Sequence, residues 1–230
     1  MPTPSRILAL LTAVLSGCGG GHARPSPAET ATADGFCGTD TAALIAAAGD
    51  PADPATPALE TPIAGSQCGA VERQFAIEDS PLVTDCSPVA FDSNPPSSGP
   101  HYFTWPKYKT YEQAIPRGFT VHALSHGAVV FAYSCTDCSD EVASAQQVLD
   151  AVGVDPICCT AQGCGADATT RLLMTPDPGL KTRWAAQSWG FTLTADCFEP
   201  DVFMNFTAHR GQGPEMLCAD GTDVSLPKPD

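Results

Sequence analysis

Eleven cysteines in 230 residues leave this chain few ways to fold. One of them, Cys18, falls in the leader; the others are Cys37, Cys68, Cys86, Cys135, Cys138, Cys158, Cys159, Cys164, Cys197 and Cys218. An even remainder in an exported chain predicts a disulfide framework, here up to five bridges (about ten cysteines in pairs) whose connectivity spacing does not give. Cys158 and Cys159 are expected to take different partners. Two other readings exist for the pair Cys135-Thr136-Asp137-Cys138. A thioredoxin-type redox pair opens a helix after a strand and needs a neighbour that lowers the thiol pKa; two aspartates close by would raise it. A zinc knuckle over Cys135, Cys138, Cys158, Cys159 and Cys164 needs thiolates, which an oxidising compartment removes.

Export is read from residues 1–17. A single positive charge at Arg6 precedes an apolar run over 7–15, which ends in Leu15-Ser16-Gly17-Cys18. That run is too short to cross a hydrocarbon core of ~30 Å at ~1.5 Å per residue, so it reads as a signal peptide and not a membrane span. Small residues before a cysteine resemble a bacterial lipobox, which makes Cys18 the lipidation site and the lipid bilayer the expected partner. Residues 18–36 are rich in Gly, Ala, Pro, Ser and Thr and read as a disordered tether. His22 lies there and is incidental. The net charge of −15 sets the chain against phosphate backbones, so no nucleic acid partner is expected.

Gly and Pro number 20 and 22, and charged residues make up 16%, which predicts short elements and long loops. Residues 37–88 read as a disulfide-tied N-terminal extension with a short Ala-rich helix over 42–48, a Pro/Ala loop over 51–62 and a strand over 71–77. The main domain is placed at 89–218. Within it Ala128-Val129-Val130-Phe131-Ala132-Tyr133 is a buried strand, and 139–153 is a helix capped by Ser139, with Val142, Ala145, Val148 and Leu149 on its inner side. Short strands follow over 170–174 and 183–189, then a second helix over 200–210. Asn205-Phe206-Thr207 matches a glycosylation acceptor but lies in that helix and is set aside. The tail, 219–230, reads as disordered. Strand, helix, strand, strand, helix from Thr120 to Arg210 predicts an α+β fold. The expected form is a small mixed or antiparallel sheet with two helices on one face, in a ferredoxin-like arrangement.

Three of the five histidines lie in 94–133. His101 follows Asn94-Pro95-Pro96-Ser97-Ser98-Gly99-Pro100, whose prolines fix φ and stiffen the turn. His122 and His126 are four apart, a spacing that puts both on one side of a helix or of a strand. These segments, with Val121 to Val129, Tyr133, Trp189-Gly190, Phe206 and 210–215, resemble a bacterial family of unknown function catalogued as DUF3105. The resemblance covers Val89 to Glu215. It implies an exported or membrane-tethered domain and brings no established reaction. One departure is Ser125, where the family usually has a glutamate.

The residues then support a transition-metal site, Cu or Zn, on His101, His122 and His126, with Glu215 and Met216 as candidate further ligands. The alternative is a non-enzymatic binding or scaffold module of the cell envelope whose histidines brace its core. A histidine-dependent hydrolase is the lesser alternative: Ser125 lacks the G-x-S-x-G elbow, and Ala123 stands where a zinc protease helix needs glutamate.

Overall fold

A computed structural model describes residues 35–48, 51, 53–162 and 169–228. The leader, Cys18, the tether up to residue 34, Cys164 and the last two residues lie outside them. In chain order the elements are α1 (Thr41–Ala47), β1 (Leu59–Pro62), β2 (Val71–Gln74), β3 (Leu82–Val83), β4 (His101–Tyr102), α2 (Arg117–Ser125), β5 (Val129–Tyr133), α3 (Ser139–Val152), α4 (Pro156–Gln162), β6 (Leu172–Pro176), β7 (Trp184–Ser188), β8 (Phe191–Ala195) and α5 (Pro200–Phe206).

The fold is α+β. Six strands form one sheet in the order β1-β2-β8-β7-β5-β6, antiparallel except for β5 beside β6. β3 and β4 make a separate parallel pair. Period-two alternation in β5 divides the interior. Val129 and Phe131 face α3 and α5, packing with Leu172, Met174, Trp184, Leu193, Val148, Phe203 and Phe206. Val130 faces the opposite way, with Leu173 and with Ala123 and Leu124 of α2. Each such large apolar side chain stabilises the fold by roughly 1.5–3 kcal/mol when fully buried.

Two helices on one face are as expected, but α2 covers the other face and was read as the start of a strand. All nine of its residues are buried, so it carries no apolar stripe for periodicity to detect. The ferredoxin-like arrangement is not what forms. β5 and β6 are adjacent and parallel, joined through α3 and α4, whereas a split βαβ unit leaves room for a strand between them. β1, inside the expected Pro/Ala loop, is a fully exposed edge strand ending on Pro62. β8 was not expected either. At the start of α3 the cap position is Cys138, without a side-chain cap bond, and Ser139 is already helical. The described part of the tail is packed: Val224 is buried, its carbonyl accepts from Phe36 N at 3.1 Å, and Thr222 bridges to Pro106.

Disulfides join Cys37 to Cys86, Cys68 to Cys197, Cys135 to Cys138 and Cys158 to Cys218. Cys159 is disulfide-bonded as well. The Cys135–Cys138 pair therefore closes a local turn, and no described cysteine is left as a zinc thiolate.

Glu78 carries a pH dependence. Burial first, and then a side-chain hydrogen bond with Asp92, raise its carboxyl to about 8 from the usual 4.5. The native state thus holds a proton that the unfolded chain gives up. This contribution to stability is full below about pH 4.5 and is lost as pH rises through about 8. Thermal unfolding followed from pH 7 to 9, where ordinary imidazoles are already neutral, should show a falling midpoint in the wild type and a flatter profile in Glu78→Gln. Equal slopes would refute the shared proton.

Candidate metal centre

Pro116, with φ −55° and ψ 137°, sets the entry to α2. The next residue but one is Gly118, and a Cβ there would lie 2.7 Å from the Tyr102 ring. Only glycine lets that ring close on the helix, and the same contact holds β4, and so His101, beside it. The helix ends at His126 and Gly127, whose φ is +81°. A Cβ at Gly127 would meet Arg171 Nη1 at 2.8 Å, so the left-handed turn and the close approach both require glycine.

One helical turn apart, His122 and His126 bring their Nε2 atoms to 3.0 Å. Glu215 Oε2 lies 2.9 Å from His126 Nε2 and 3.7 Å from His122 Nε2. Glu215 is carried by a Gly-Pro segment laid along the helix end. Gly211 N donates to Gly127 O at 2.8 Å, and Glu215 N donates to Ser125 O at 3.0 Å. Between them Gly213 lies so close that a Cβ would stand 2.8 Å from Leu124 O. Cys218, three residues beyond the carboxylate, is bridged to buried Cys158. Trp105 roofs the pair, with its ring 4.8 Å from that of His126 and 5.5 Å from that of His122.

Arg171 supports the site from below. Its Nη1 donates to His126 O at 2.8 Å, while Nε and Nη2 donate to Asp155 Oδ2 at 2.9 and 2.7 Å. Arg171 and Asp155 are both buried. Arg210 Nε adds a contact of 3.4 Å to the same carboxylate oxygen. Ser125 Oγ donates to His122 O at 2.8 Å and stands 3.5 Å from Glu215 Oε2.

The three donor atoms of His122, His126 and Glu215 all lie within 4.8 Å of one another. With metal–ligand bonds of about 2.0–2.1 Å, the edge of a tetrahedron is about 3.4 Å. The observed 3.0, 2.9 and 3.7 Å bracket that length, so an ion would enter with shifts of a few tenths of an ångström. Burial, then the neighbouring His126 and His101, push His122 down to about 4. Burial also lowers His126, against the opposing pull of Glu215. Both rings are therefore neutral at ordinary pH, the form that offers a lone pair to a metal.

Of the sequence candidates, His122, His126 and Glu215 come together. His101 stands beside them but outside that group, with its ring 5.0 Å from His122 and its Nδ1–H donating to Gly99 O at 2.9 Å. Met216 turns the other way: its Sδ is 3.7 Å from Arg171 Nη1. Trp105, Arg171 and Asp155 were missed. A lone arginine in the apolar run Arg171-Leu172-Leu173-Met174 was the available signal, since a charge at a core position needs a partner.

A family model described as a protein of unknown function, DUF3105, matches residues 83–220. The chain belongs to the DUF3105 family. The match extends beyond the expected 89–215 at both ends, and takes in the histidines, Trp105, Asp155, Arg171 and Glu215. No curated protein and no solved structure matches the chain. In this DUF3105 chain the carboxylate that reaches the histidines comes from Glu215, 89 residues beyond His126.

Proposed function

We propose that this protein binds a transition metal ion, Zn(II) or Cu(II), between His122, His126 and Glu215. The observation that carries the reading is the convergence of two imidazole nitrogens and one carboxylate oxygen on a point of tetrahedral size. Imidazole with carboxylate suits both ions. Without a cation the proton of His126 sits on Nε2 and donates to Glu215 Oε2 at 2.9 Å, and a bound ion would displace it. The untagged mature protein, exposed to equimolar Zn(II) or Cu(II) and then desalted, should retain about one ion per chain by mass spectrometry. Retention at the level of a non-binding control would sink the proposal and leave the histidines as a brace beneath Trp105.

The same proposal places the domain outside the cytoplasm, as a lipoprotein anchored in the bacterial envelope through Cys18. Supporting it are the leader ending in Leu15-Ser16-Gly17-Cys18 and the described disulfides, which persist in oxidising compartments. In detergent partitioning the wild type should enter the detergent phase and Cys18→Ala should stay in the aqueous one. Equal partitioning of the two would exclude the lipid.

A further inference from the structure

His101 is buried, yet its Nε2 makes no hydrogen bond. Its Nδ1 lies 2.9 Å from Gly99 O, and a carbonyl only accepts, so the ring proton is fixed on Nδ1. The lone pair is thereby fixed on Nε2. The ring is also fixed in place, edge-on to Trp189 at 6.2 Å and 5.0 Å from His122. Three donors, His122, His126 and Glu215, leave a tetrahedral ion one open position, the arrangement of catalytic rather than structural zinc sites. A water there would be bonded to the metal at about 2 Å. A base that accepts from it stands outside the ligand group yet against it, as His101 does.

We propose that His101 would be the proton acceptor for a water on the open position of the ion. This rests on the metal reading above. In the step, one O–H bond of the bound water breaks, its electron pair stays on oxygen, and the proton forms a bond to His101 Nε2. The products are a metal-bound hydroxide and an imidazolium that still donates from Nδ1 to Gly99 O. With an ester as probe, the hydroxide would add to the carbonyl, and the proton would leave with the alcohol as the acyl–oxygen bond breaks. Entry is from the Glu215 side, because that side chain is 37% exposed while those of His122 and His126 are 5% and 1%.

The test uses the full mature chain loaded with Zn(II), with 4-nitrophenyl acetate as probe. His101→Ala and His101→Gln should keep Zn(II) affinity within about threefold and lose about 100-fold in kcat/KM, within the range for removal of a general base. The glutamine variant keeps an N–H able to reach Gly99 O, so it separates loss of the base from loss of the turn. The inference is overturned if either variant hydrolyses as fast as wild type, or if wild type is no faster than free Zn(II). It is also overturned if both variants lose Zn(II) as His122→Ala does, which would make His101 a ligand. If wild type takes up no Zn(II), the metal reading fails and this inference with it.

Discussion

Replacing Arg171 with methionine is expected to destabilise the protein by about 3–5 kcal/mol, the usual result of removing one partner of a buried ion pair. Arg171 is fully buried and Asp155 is nearly so. The substitution leaves the Asp155 carboxylate in the interior with the Ile157 N–H at 2.8 Å, a 3.4 Å contact to Arg210 Nε and no closer cation among the described residues. It also removes the donor at His126 O, so a buried carbonyl at the end of α2 loses its partner. At roughly 2–4 °C per kcal/mol for a domain of this size, the melting midpoint should fall by about 6–20 °C. Pairing the change with Asp155→Leu should recover much of the loss, because the isolated carboxylate is the costly group. A single-variant loss below about 1 kcal/mol would show that the network is not the support described.

His122→Ala should weaken Zn(II) binding on the order of 100-fold or more, since even removing a group that hydrogen-bonds a ligand costs about 10–100-fold, whereas His101 bonds through Nδ1 to Gly99 O and to no ligand. The loss should be in affinity and not in folding. His122 has polar contacts with His126, Glu215 and the Tyr102 backbone, and the resulting space lies next to the Trp105 ring, which can settle into it. His209→Ala is the control. That imidazole stacks on Phe191 at 4.2 Å and contacts Glu72 at 3.3 Å, away from the site. Equal loss in both variants would remove the special role given to His122.

Part of the sheet was legible from composition, because buried strands collect apolar, β-branched and aromatic residues. The unbroken apolar run from Ala128 to Tyr133 marked β5, and the three-and-four spacing of Val142, Ala145, Val148 and Leu149 marked α3. α2 was not legible, because a helix buried on every side has no polar face to set its period. Its Val121 and Thr120 also favour extended chain. The histidines were found by their spacing, which serves helix and strand alike, so the site survived an error in its backbone. Glu215 was within reach only as a neighbour of Gly213-Pro214. Its contact with His126 depends on how residues 211–215 return to the end of α2, a long-range pairing that no local pattern encodes. Met216 was a reasonable sulfur candidate by sequence, but the Gly127 turn sends it toward Arg171.

X-ray absorption at the Zn or Cu edge of the loaded, untagged protein tests the centre most directly. The account predicts a first shell of nitrogen and oxygen at about 2.0–2.1 Å, with outer-shell scattering from two imidazoles and no sulfur near 2.3 Å. A sulfur shell, or a spectrum with no imidazole scattering, would contradict the assignment to His122, His126 and Glu215.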